Sequence, residues 1–227
     1  PLFAPEVHNI GDINGDGIDD IAIGDAQADA DVDPQNPNNA VISPNQGKAY
    51  VVYGQDGGFD NSLNLADLDG SNGFVLRGEE SLDGLGESIN SADINGDGLG
   101  DLIITSSSDV DRDPNTFNGE GQTYVVYGQT DGFDADIAVS ELNPETGIVF
   151  NNRRPGDSSL GVYASSAGDI NGDGIEDMMI GVPEASADGM SNTGQTYVVF
   201  GNKDGLPSAL NPDQLNGLNR FTFNGNS

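Results

Sequence analysis

The stretch Gly11–Gly24 reads GDINGDGIDDIAIG. It returns as ADINGDGLGDLIIT over Ala92–Thr105 and as GDINGDGIEDMMIG over Gly168–Gly181. The leading aspartates are Asp12, Asp93 and Asp169, 81 and then 76 residues apart. Self-similarity at a near-fixed period marks a repeat architecture. Three further sets of segments keep the same phase. One is GKAYVVYG from Gly47, GQTYVVYG from Gly121 and GQTYVVFG from Gly194. A looser one is GFVLRG from Gly73, GIVFNN from Gly147 and RFTFNG from Arg220. The last precedes each aspartate block: PLFAPEVHNI at the N-terminus, LGESINSA from Leu85 and LGVYASSA from Leu160. The chain therefore divides into repeat 1 over 3–84, repeat 2 over 85–159 and repeat 3 over 160–227.

Each unit holds four short apolar or β-branched blocks. In the first they lie around Pro5–Ile10, Ile21–Gly24, Ala49–Tyr53 and Phe74–Leu76. Such blocks have the length of strands and are too short for stable helices. Gly, Asn, Asp and Pro punctuate them as turns require. Only Asn61–Gly70 and Ser140–Gly147 leave room for a helical turn. The expected fold is all-β: three four-stranded blades of a β-propeller, as a partial propeller or a piece of a longer repeat array. A β-solenoid would have shorter rungs. The units differ in length mainly through one loop, Asp25–Gln46, Ser106–Glu120 or Val182–Thr193, and insertions at one repeat position map to one face.

The 227 residues include 38 acidic and 7 basic ones, for a net charge of −31. That charge excludes nucleic acid as a partner, because phosphates would be repelled, and argues against an anionic membrane surface. No apolar run approaches the roughly 18 residues of a membrane helix, so no membrane insertion is expected. There is no cysteine and a single histidine, His8. Apolar residues are only 35% of the chain, but their clustering into blocks speaks against disorder.

The pattern D-x-N-x-D-G-x-x-D occurs three times. Its candidate metal ligands are Asp12, Asn14, Asp16, Ile18 and Asp20; Asp93, Asn95, Asp97, Leu99 and Asp101; and Asp169, Asn171, Asp173, Ile175 and Asp177. Oxygen side chains at positions 1, 3 and 5 of a tight loop point inward together. Gly17, Gly98 and Gly174 at position 6 allow a sharp turn, position 7 offers a backbone carbonyl, and the position-9 carboxylate closes the sphere. This is hard-oxygen coordination suited to calcium, so at least three Ca²⁺ ions are expected. An ordinary acidic turn would not keep four ligand positions in three copies. Nor is the loop an EF-hand, because position 12 is Ile23, Ile104 or Ile180 rather than glutamate. Asp19 and Glu176 fall off the ligand spacing and read as solvated.

These units resemble the FG-GAP repeat of integrin α-subunit heads and of secreted bacterial proteins. In that family a Phe-Gly pair precedes the calcium loop and Gly-Ala-Pro follows it. Phe3-Ala4, Leu85-Gly86 and Leu160-Gly161 occupy the first slot. Gly24-Asp25-Ala26, Thr105-Ser106-Ser107 and Gly181-Val182-Pro183 occupy the second, so the third copy is closest and the second has lost Gly-Ala-Pro. The resemblance implies propeller blades and calcium at the loops, in a protein secreted or held at the cell surface.

The alternating aspartates at 29–33 and 109–113 read as solvated acidic loops, with further weak calcium sites as the sharper alternative. His8 has no basic or nucleophilic neighbour in sequence and reads as structural or exposed rather than catalytic. Tyr50 and Tyr53, Tyr124 and Tyr127, and Tyr197 and Phe200 are spaced by three within a strand, which sends the members of each pair to opposite faces. Arg77, Arg153, Arg154 and Arg220 read as neutralising nearby aspartates. No Ser-His-Asp set, P-loop or zinc pattern is present. The expected function is non-enzymatic: an extracellular calcium-binding propeller segment acting in adhesion or structural assembly through a protein or glycan ligand. The rival readings are the propeller portion of a secreted phospholipase or polysaccharide-degrading hydrolase, and a carbohydrate-binding module. Propellers need about four to eight blades, so three units predict edges covered by more repeats of a parent chain or by other copies. Both ends fall at one phase of the repeat, as expected of a piece of a longer array.

Overall fold

Val, Ile, Tyr and Phe clustered in short blocks, fenced by glycine and aspartate, do form strands. The computed structural model describes residues 6–29, 45–59, 61–79, 83–106, 121–151, 163–183, 185–186, 193–207, 209–210 and 220–225. The first blade holds β1 (Glu6–Gly11), β2 (Asp20–Asp25), β3 (Lys48–Val52) and β4 (Gly73–Arg77). The second holds β5 (Ser88–Ala92), β6 (Asp101–Ser106) and β7 (Gln122–Val126), then, after the short β8 (Asp136–Ala138), β9 (Gly147–Asn151). The third holds β10 (Tyr163–Gly168), β11 (Asp177–Val182) and β12 (Gln195–Val199), then β13 (Ala209–Leu210) and β14 (Arg220–Asn224). Within each blade the four main strands pair antiparallel in chain order. Single 3₁₀ turns occupy Leu65–Asp67 and Val139–Glu141, within or overlapping the two stretches where a helical turn was expected.

Two blades gain a fifth strand that sequence did not announce. β8 leaves its own blade and pairs parallel with β4, setting Val75 against Asp136 and Arg77 against Ala138. β13 pairs with β9 in the same way. The second and third blades are thus each laced to the blade before them by the segment that precedes their own fourth strand. The Arg77 guanidinium meets the Asp136 carboxylate on the first of these seams, as expected of an arginine neutralising an aspartate.

The core lies between blades, because side chains alternate across a strand. Leu102, Ile104, Tyr124 and Val126 turn toward the first blade and share a buried cluster with Phe74 and Leu76. Ile103, Val125, Tyr127 and Phe150 turn the other way and share one with Met178, Ile180 and Tyr197. Tyr124 and Tyr127 therefore serve opposite seams, as their spacing of three requires. Phe133 of the second blade stacks on Phe74 of the first, with ring centres 4.4 Å apart.

Gly73 opens β4 at a φ of 141°, and a Cβ there would lie 2.1 Å from the Val51 carbonyl oxygen. Gly57 also has a positive φ, 89°, but a Cβ there meets nothing within 4 Å. Gly73→Ala should therefore cost stability on both counts, about 2 kcal/mol or more, and Gly57→Ala only the backbone part, about 1 kcal/mol. Urea unfolding of the two variants checks the ranking; equal losses would contradict it.

Candidate metal centre

Each aspartate loop is the turn joining the first strand of a blade to its second. Its shape is set by its own side chains. The Asp12 carboxylate accepts the N–H of Gly15 at 2.6 Å and of Asp16 at 3.0 Å on Oδ1, and of Gly17 at 2.8 Å on Oδ2. Asn14 Oδ1 accepts from the Asp16 N–H at 2.9 Å, and Asp16 Oδ1 from the Ile18 N–H at 2.8 Å. The chain can wind this tightly because Gly15 and Gly17 hold φ values of 75° and 89°.

Position 9 anchors the loop from beneath. Asp20 is fully buried; its Oδ2 accepts the Ile13 N–H at 2.8 Å and its Oδ1 the Gly54 N–H at 2.7 Å. The other two loops repeat this. Asp101 takes the N–H groups of Ile94 and Gly128 at 2.8 and 2.9 Å. Asp177 takes those of Ile170 and Gly201 at 2.9 and 3.0 Å. Asp93 accepts from Asp97 and Gly98, and Asp169 from Gly172, Asp173 and Gly174. Asn95 and Asn171, with Asp97 and Asp173, keep the corresponding turn bonds, ending at the Leu99 and Ile175 N–H groups.

Two parts of this construction escaped the sequence reading. The glycine at position 4 (Gly15, Gly96, Gly172) is as necessary to the winding as the one at position 6, with φ between 72° and 78°. The glycine just past the third strand (Gly54, Gly128, Gly201) supplies the second N–H to the buried aspartate. A Cβ on Gly54 would lie 2.4 Å from the Asp19 carbonyl oxygen, so only glycine lets the strand end reach the loop. Both glycines recur in all three copies, and that recurrence was the available signal.

Burial pushes the Asp101 carboxyl up to about 7, against the pull of the Gly128 and Ile94 N–H groups and with added repulsion from Asp97 and Asp93. Burial raises Asp20 too. Among the described residues, no three acidic or histidine side chains gather into a formed metal-holding group. The donor chemistry nonetheless fits a hard cation. Each loop presents only oxygen: two exposed or half-exposed carboxylates, an amide, a free-standing carbonyl position, and a buried carboxylate whose oxygens each keep a second lone pair. A divalent cation would favour the ionised carboxylates that burial and mutual repulsion disfavour.

Outside the ligand set, Asp19 Oδ2 accepts from Asn9 Nδ2 at 3.0 Å. Glu176 is exposed, but its Oε2 accepts the Asp93 N–H of the neighbouring blade at 3.0 Å, so it is an interblade contact and not only a solvated charge. His8 Nε2 lies 3.2 Å from Glu6 Oε1. Residues 30–33 and 109–113, which complete the acidic stretches, lie outside the described residues, as do Arg153 and Arg154.

Comparison with known proteins agrees with this architecture. Residues 161–199 match the FG-GAP repeat family. The chain is 31% identical over 127 residues to phosphatidylinositol-glycan-specific phospholipase D of Bos taurus, covering 55% of this chain and 14% of that protein. It is 27% identical over 152 residues to integrin alpha-7 of Rattus norvegicus, 66% of this chain and 12% of that one. With integrin alpha-8 of Homo sapiens the figures are 28% over 158 residues, 67% and 13%. The matched region is thus about one seventh or less of each relative's length.

Proposed function

We propose that this chain, which carries FG-GAP repeats, is a calcium-stabilised β-propeller segment that works outside the cell in adhesion or structural assembly, without catalysing a reaction. The carrying observation is that three loops, in three successive blades, hold the same five oxygen-donor positions, with the position-5 N–H donating to the position-1 carboxylate in each. Similarity to integrin alpha chains over two thirds of the chain supports the adhesive setting. The long acidic loops and the charge of −31 suit a compartment where calcium is abundant. Asp12, Asn14, Asp16, the Ile18 carbonyl and Asp20 would hold the first ion, and the matching residues the other two. The cation would supply charge neutralisation at each turn. The chain's own residues then fix the turn's shape and present the surrounding surface to a protein or glycan ligand.

Calorimetric titration of the chelated protein should show uptake of three calcium ions. Asp97→Ala should reduce this to two, because the loops are separate and each keeps its own clamp. A titration with no uptake would sink the proposal. The similarity to phosphatidylinositol-glycan-specific phospholipase D favours a second reading, in which the segment is the propeller portion of a secreted hydrolase. The sequence that flanks these 227 residues in the full-length gene distinguishes the two, since a catalytic domain beside the repeats favours the hydrolase and further adhesive or repeat segments favour the first reading.

A further inference from the structure

Across the three aspartate loops only positions 7 and 8 vary, and position 8 varies in kind: it is Asp19, Gly100 or Glu176. This residue stands between the position-7 carbonyl and the position-9 carboxylate, and so between two of the five candidate ligands. At both inner seams it touches the loop of the blade before it. The Gly100 N–H donates to the Asp12 carbonyl at 3.0 Å. The Glu176 N–H donates to the Asp93 carbonyl at 3.2 Å, and Glu176 Oε2 accepts the Asp93 N–H at 3.0 Å. Asp12 and Asp93 carry the position-1 carboxylates of their loops. Glu176 thus holds both main-chain polar groups of Asp93, whereas Gly100 holds only the carbonyl of Asp12.

The two seams are built differently around this residue. A Cβ on Gly100 would lie 2.1 Å from the Ile10 carbonyl oxygen, so the first seam has no room for a side chain there. The first blade enters its loop through an irregularity, with the register shifting between Asn9 and Gly11 and Gly11 at a φ of 69°. The second blade enters its loop through Ala92 with its register unbroken, and there the Asp93 N–H meets the Glu176 carboxylate. Glu176 is itself exposed, so its bond to Asp93 is made at the surface of the seam and not forced by burial.

We propose that Glu176 is a positioning residue that couples calcium binding at the third loop to calcium binding at the second. The inference rests on the calcium reading above and goes beyond it, because three equivalent loops would otherwise fill independently. An ion held by the Ile175 carbonyl and Asp177 fixes the backbone from which Glu176 reaches, so the bond to Asp93 costs less ordering once that ion is in place. Glu176 in turn fixes the main chain that carries the Asp93 carboxylate. The coupling is reciprocal: each ion must favour the other by the same factor. The first loop is tied to the second through the Gly100 N–H alone, so its share in the coupling is smaller.

The N–H groups of Gly17, Gly98 and Gly174 donate to Oδ2 of Asp12, Asp93 and Asp169, so their amide resonances report the three loops one by one. The chelated chain is titrated with calcium and followed by amide correlation spectra. Asp173→Ala should weaken binding at the Gly98 loop by about fivefold, and Asp97→Ala should weaken it at the Gly174 loop by the same factor. Asp16→Ala should affect the Gly98 loop less. Glu176→Ala should reduce the coupling of the second and third loops to that smaller level. Glu176→Gln should keep it, because the amide oxygen can accept the same N–H. Both variants change an exposed side chain, and an unchanged circular dichroism spectrum checks that they fold. Second and third loops that fill independently in the wild-type chain overturn the proposal. So does coupling that survives Glu176→Ala, or coupling lost in Glu176→Gln. In those cases all three resonances still respond to calcium and the calcium reading stands, whereas no response at any loop overturns that reading and this proposal with it.

Discussion

Phe74→Ala should lower the unfolding free energy by about 3–5 kcal/mol, while Phe221→Ala, at the same repeat position two blades later, should cost less than about 1 kcal/mol. Phe74 is fully buried, stacks on Phe133 with ring centres 4.4 Å apart, and lies tilted against Tyr53 at 6.3 Å. Truncation removes the ring's burial and leaves a cavity that neighbours from two blades cannot fill together, because both are fixed by sheet hydrogen bonds. Among the described rings Phe221 meets the edge of Phe223 at 4.4 Å, and it is 44% exposed, so its removal takes away far less buried surface. Urea unfolding in dilute solution reads both values. Equal losses at the two positions would mean that the stability of this fold does not reside in the seams between blades.

The repeat made most of the fold legible, and the reason is visible at particular residues. The strand segment Thr123–Val126 is buried on both faces because the second blade lies between the other two, so it stands out as an unbroken block. The four strands per unit and the loops between the first and second strands followed directly. β8 and β13 did not, because three and two residues carry no periodicity, and their pairing is to a blade already completed earlier in the chain. The function of Glu176 was hidden for a related reason. Its partner, the Asp93 N–H, is 83 residues away and belongs to another blade. Sequence spacing identifies ligands within one loop, but it is blind to a side chain that reaches across a seam. Conversely, the position-9 aspartates were read only as possible ligands. Their backbone clamps, from Ile13 and Gly54 and their equivalents, show that they also fasten the loop to the third strand.

Removing calcium should lower the melting temperature by the largest margin of any single treatment, and restoring it should return the protein to its starting point. A ligand that binds only the folded state at a hundred times its dissociation constant stabilises it by about 2.7 kcal/mol, so three loops filled to that degree would add about 8 kcal/mol, as much as the whole stability of many domains. The chelated chain is left with three carboxylates at the ligand positions of each loop, Asp12, Asp16 and Asp20 in the first, and with a buried Asp101 whose carboxyl is held up at about 7 by its surroundings. Without a cation those carboxylates either repel or take up protons, and both weaken the turn that connects the first two strands of every blade. Magnesium should not substitute at equal concentration, since it resists dehydration and demands a tighter octahedral shell than a loop of this kind offers. Differential scanning calorimetry in calcium, in chelator and in magnesium decides the matter. Identical melting curves in calcium and chelator would show that the hydrogen bonds centred on Asp12, Asp93 and Asp169 hold the loops unaided, and that the oxygen-donor pattern serves the turn alone.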